Sequence, residues 1–122
     1  MVIKILQSTA NIEAVNYSDE KIEKNEAKLL KAENFPFQEM SAQEHRKYLE
    51  AVGNLNPRIK KKQFHATIST KGRQHSFEEL TQVAQRYLKH MGYDLNPYII
   101  YAHHDSPNNH VHLVSSRVGM DG

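Results

Sequence analysis

The stretch from Ser76 to Gly92 limits the fold more than any other. Ser76 and Glu79 form a capping box, in which each satisfies a backbone amide of the other at a helix start. Phe77, Leu80, Val83, Ala84, Tyr87, Leu88 and Met91 then recur at helical spacing, and Gly92 closes the element. Period-two runs surround this amphipathic helix. Gln63 to Ser69 puts Phe64, Ala66 and Ile68 on one face and His65, Thr67 and Ser69 on the other. Tyr98 to His103 and His110 to Val118 read as two further strands, parted by the turn-forming Ser106-Pro107-Asn108-Asn109.

Upstream, Val2 to Gln7 is a short β-branched run and reads as the first strand. Ser41 and Glu44 repeat the capping box, with Tyr48, Leu49 and Val52 as the apolar stripe and Gly53 as the stop. Around Tyr17, Ser18 is expected to cap a short helix running to about Lys24. The pattern leaves Asn25 to Phe37 undetermined, with Pro36 arguing against helix at its end. This order predicts an α+β fold, a mainly antiparallel sheet with helices packed on it, in a single domain over 1–122.

Composition excludes more than it selects. At 39% hydrophobic and 25% charged, the chain matches an ordinary soluble protein. Its apolar runs are too short for a membrane span, and no signal-peptide pattern opens it. Without cysteine, neither disulfides nor thiolate metal sites are available, which fits a reducing cytoplasm. A tightly held transition metal would have to rely on the eight histidines, with carboxylates in support. The net charge of +2 is mild, but Arg58, Lys60, Lys61 and Lys62 form an unbalanced run, followed by Lys71 and Arg73. Charge alone leaves a solvated loop and a nucleic-acid contact equally open there.

Chemistry concentrates in His103-His104-Asp105-Ser106-Pro107-Asn108-Asn109-His110-Val111-His112. A hairpin with Asp105 opposite His110 sets His103 opposite His112 and places these four side chains on one face, with His104 on the other. Opposed Cβ atoms lie about 4.5–5.5 Å apart, close enough for imidazoles to converge on one ion. A slip of one residue would swap these faces. Neutral imidazoles bind a divalent cation and leave positions open for phosphate oxygens. Asp105 is expected to orient a ligand ring, with direct ligation as the alternative. His110 and His112 alone would be better read as surface residues of a solvated strand; His103 and Asp105 at compatible spacing tip the balance to metal binding.

The pattern His103-x-Asp105, four residues, His110-x-His112, then LVSSRV resembles the relaxase/mobilisation nuclease family within the HUH endonucleases. VNYSDEKIEKNEAKLLKAENFP is similar to the family's tyrosine motif, FHATIS to its middle strand, and HMGYDLNPYIIYAHHD to the run into the histidines. The resemblance implies the family's palm-like sandwich and a site- and strand-specific nick at a transfer origin. In it Tyr17 is the nucleophile, and a 5′-phosphotyrosyl DNA with a free 3′-hydroxyl is left. It implies that His103, His110 and His112 hold Mg²⁺ or Mn²⁺, with another transition metal as the alternative; since a phenol has a pKa near 10, Tyr17 would need help from a nearby cation or a base such as Asp105. It further implies a bacterial cytoplasmic protein acting on single-stranded origin DNA with other mobilisation proteins.

Candidate DNA contacts are Arg58, Lys60, Lys61, Lys62, His65, Ser69, Lys71 and Arg73, with Arg117 the weakest of this group. Tyr93 and Tyr101 rival Tyr17 on the residues alone, since both lie near the histidines in sequence. Competing readings are a non-catalytic DNA-binding or assembly module, a closed structural zinc site, and a rolling-circle or transposition nuclease of the same superfamily. Family domains are usually longer, so the chain is expected to be truncated at its C-terminal end. A homodimer through an exposed sheet edge would follow from that.

Overall fold

The structure, a computed structural model, describes residues 2–6, 12–24, 26–70, 75–103 and 108–119; the side chains of Val2, Glu13, Asn16 and Tyr17 lie outside this description. The elements run β1 (Val2–Ile5), α1 (Glu13–Glu23), β2 (Ala27–Glu33), α2 (Ala42–Gly53), β3 (Gln63–Ser69), α3 (Phe77–Met91), β4 (Tyr98–His103) and β5 (His110–Ser116). The five strands form one sheet in the order β1-β3-β5-β4-β2, with every neighbouring pair antiparallel. This is the α+β architecture expected from the sequence.

Strand alternation divides the core into two layers. Phe64, Ala66, Ile68, Ile100, Val111 and Leu113 meet Leu80, Ala84 and Leu88 of α3 on one face. Ile99, Tyr101 and Val114 meet Ile12, Ala14 and Val15 at the start of α1, and Leu49 of α2, on the other. The histidines of β3, β4 and β5 belong by their parity to this second face.

Both capping boxes form as their sequences predict, Ser41 with Glu44 and Ser76 with Glu79. Gly92 adopts the left-handed conformation (φ 79°) that lets α3 end sharply. Gly53 is still helical, and Asn54 is the C-cap of α2. A Cβ at Gly53 would lie 2.8 Å from Lys62 Cδ, so close packing of the following segment fixes that glycine.

Two local expectations are corrected, and the undetermined stretch takes a definite form. α1 begins at Glu13 rather than Ser18, without a side-chain cap from its N-cap residue Ile12. Tertiary contacts replace the cap: Ile12 and Val15 are fully buried, and the Ala14 amide donates to Gln63 Oε1 of β3 at 2.8 Å. The undetermined stretch after Asn25 contains β2, an edge strand whose alternation is broken by a register shift between Leu29 and Lys31. Asn34 ends it at φ 67°, its side-chain amide donating to the carbonyls of Asp94 and Asn96 at 2.8 and 2.9 Å.

The second correction concerns the hairpin. His103 pairs with His110, and Tyr101 with His112, so the register differs by two residues from the one expected. Six residues, 104–109, join the strands, because Asn109 is held elsewhere. Its carbonyl accepts from the Thr70 amide at 3.3 Å, and its side chain donates to the His75 carbonyl at 3.0 Å. A shift of two preserves parity, so the three histidines still share a face.

Candidate metal centre

β4 delivers His103 and β5 delivers His110 and His112, His103 lying directly opposite His110 and diagonal to His112. The His103 and His112 rings are near-parallel with centroids 3.7 Å apart, and His110 stands 5.5 and 5.3 Å from them. One nitrogen from each ring lies within 4.8 Å of the others. Small ring rotations close that spacing around one ion with bonds near 2.1 Å. An all-imidazole donor set fits a divalent transition metal well and leaves coordination positions for phosphate oxygens.

Each ring is steadied by a protein partner. Ser18 Oγ of α1 lies 3.3 Å from His103 Nε2, and His103 is only 1% exposed. His65 Nε2 and His112 Nδ1 share a hydrogen bond of 2.8 Å, and His110 Nδ1 lies 3.2 Å from the Asn108 carbonyl. Contacts of this outer kind set the tautomer and orientation of a metal-binding imidazole. Burial pushes the His65 imidazole down to a pKa of about 4, so it is neutral near pH 7 and can accept from His112.

Sequence reasoning assigned both partners other work: Ser18 was expected to cap a helix and His65 to contact DNA. The β3 alternation already placed His65 on the histidine face. What single-strand patterning could not supply was the β3–β5 pairing that sets Thr67 opposite His112 and Ser69 opposite His110. Ser69 therefore lies at the histidine end of the sheet. The basic run does not. Lys62 directly precedes Gln63, which pairs with Ser116, whereas Ser69 pairs with His110 about 20 Å further along the strand. Arg58, Lys60 and Lys61 are exposed there, the Lys62 ammonium donates to the Asn54 side-chain carbonyl, and Arg117 donates to the Lys61 carbonyl at 3.1 Å.

The rival tyrosines separate cleanly. Tyr93 packs edge-on against Phe64, centroids 5.1 Å apart, on the α3 side of the sheet and away from the histidines. Tyr101 is on the histidine face but 1% exposed, and burial, with Asp19 adding to it, raises its phenol well above the ordinary range. Tyr17 occupies α1 directly before Ser18, the residue that reaches His103. The Tyr17 side chain, and Asp105, Lys71 and Arg73, lie outside the described residues.

A relaxase family model, MobA/VirD2-like, nuclease domain, matches residues 15–122, and the chain belongs to that family. No curated protein and no solved structure matches it. Membership makes this a nuclease domain, with the histidine cluster as its candidate metal-holding part. No helix among the described residues is long and apolar enough to cross a membrane.

Proposed function

We propose that this domain nicks one strand of DNA at a transfer origin and remains covalently joined to the 5′ end through Tyr17. In this reading the Tyr17 oxygen forms a bond to the scissile phosphorus as the bond to the 3′ oxygen breaks. The phenol proton passes to a base, for which Asp105 is the candidate, and the departing 3′ oxygen is protonated as a hydroxyl. A phenol near pKa 10 needs such help at neutral pH. A Mg²⁺ or Mn²⁺ ion at His103, His110 and His112 would supply Lewis-acid polarisation of the phosphate. His65 and Ser18 keep two of the imidazoles aimed.

The observation that carries the reading is the convergence of the three imidazoles beside α1, the helix that holds Tyr17. Ser69 belongs to the strand-binding surface near the nick, and Lys71 and Arg73 are further candidate contacts to the DNA. Arg58 and Lys60 to Lys62 would take more distant phosphates, giving salt-dependent affinity with little sequence information. The partners in this reading are single-stranded origin DNA, other mobilisation proteins and a second copy across a sheet edge, in a bacterial cytoplasm.

Incubation with single-stranded origin DNA and Mn²⁺ is expected to yield a protein–DNA adduct that survives denaturing electrophoresis. Tyr17→Phe should abolish it with the circular dichroism spectrum unchanged. An adduct that persists in Tyr17→Phe refutes the nucleophile.

A further inference from the structure

Beside the histidines, on the same face, a cavity of about 190 Å³ opens between α1, α2, β2 and β4. Ile22, Leu29, Met40 and Ala42 are its apolar walls, and Asp19, His45 and Tyr101 line it as well. Tyr101 is 1% exposed and His45 4%, yet the Tyr101 hydroxyl and His45 Nε2 have no hydrogen-bond partner among the described residues. Buried polar atoms are almost always satisfied, so two orphans among the residues lining one cavity point to something that fills it. The space is several times the ~30 Å³ that a water molecule occupies.

Position narrows the choice of occupant. Tyr101 precedes His103 by two residues on the same face of β4, about 7 Å along the strand, and pairs with His112. Asp19 follows Ser18, which touches His103. A phosphate held at the histidines would therefore bring the adjoining nucleotide to the cavity mouth. Bases of single strands, unlike those of a duplex, can leave the stack and lie between apolar side chains.

On the reading of the domain as a single-strand nuclease, we propose that this cavity receives one unstacked nucleobase beside the scissile phosphate. The Asp19 carboxylate only accepts hydrogen bonds, whereas the Tyr101 hydroxyl and the His45 ring can donate or accept. That set favours a base carrying an exocyclic amine, which gives N–H to Asp19, over thymine, which has none.

The test is fluorescence anisotropy with dA, dC and dT homopolymers at fixed salt, for the wild type, Asp19→Asn, whose amide donates as well as accepts, and the cavity-filling Ala42→Trp. The wild type is expected to bind dA and dC about fivefold more tightly than dT. Both variants should lose that preference while keeping their melting midpoint and Mn²⁺ affinity. Asp19→Asn keeps the size of the side chain and so decides the matter even where Ala42→Trp perturbs folding. A wild type without base preference, or a preference that survives both variants, overturns the cavity's role and leaves the nuclease reading standing. A wild type that binds none of the homopolymers overturns both.

Discussion

Along β4, Tyr98 and Ile100 turn toward α3, whereas Ile99, Tyr101 and His103 turn toward α1 and α2. The two tyrosines show how far the faces differ. The Tyr98 hydroxyl accepts from Gln85 Nε2 of α3 at 3.1 Å, while the Tyr101 hydroxyl has no partner among the described residues although it is the more deeply buried. The α3 face is an apolar layer, left open only where Ile3 and Ile5 of β1 are exposed among the described residues, and the Tyr98 hydroxyl in it is answered locally. The opposite face carries four imidazoles on its strands, with the Tyr101 hydroxyl of β4 and His45 Nε2 of α2, both without a partner among the described residues, on the same side. One face holds the fold together, and the other gives up some of that stability to present groups to a ligand.

If that division is right, the faces respond differently to mutation. Leu113→Ala opens the α3 layer at a fully buried site and should cost about 2–5 kcal/mol in chemical denaturation. The metal affinity of the folded fraction should not change; a parallel loss of both would break the division. Acid is the next strongest probe. The His65 pKa falls from 6.5 to about 4 on folding, so the unfolded chain binds more protons between those values. Stability of the metal-free protein is therefore fully present above about pH 6.5 and declines as pH falls toward 4, by on the order of 3 kcal/mol. Burial shifts His45 in the same direction. A flat profile across that window would contradict the burial of these rings.

Smaller effects sharpen the comparison. His65→Ala removes the partner of His112 and should weaken Mn²⁺ binding about 10–100-fold in calorimetry, with little change in the denaturation midpoint at pH 8. An unchanged affinity would make the hydrogen bond incidental. Ser76→Ala removes the α3 cap on the other face and should cost about 1 kcal/mol without touching metal binding.

What the sequence made legible follows the range of the interactions involved. α3 and α2 are marked by local caps and periodicity, and both begin at the boxes their sequences predict. The shared face of His103, His110 and His112 was also readable, because strand parity survives an error of two in register. α1 was misplaced because its first turn is secured by Gln63, 49 residues away, instead of by a neighbouring side chain. β2 was hidden because an edge strand with Lys28, Lys31 and Glu33 shows little alternation and carries a register shift. The roles of Ser18 and His65 depend on contacts across 85 and 47 residues, which no spacing rule encodes.

The most direct trial is a titration of Mn²⁺ followed by electron paramagnetic resonance, comparing wild type with a His103→Ala, His110→Ala, His112→Ala variant shown to be folded. The wild type should take up a single tightly held ion with nitrogen couplings from imidazole, and the triple variant should take up none. Equal uptake by both proteins, or a wild-type signal without nitrogen coupling, would mean that these rings do not share a cation.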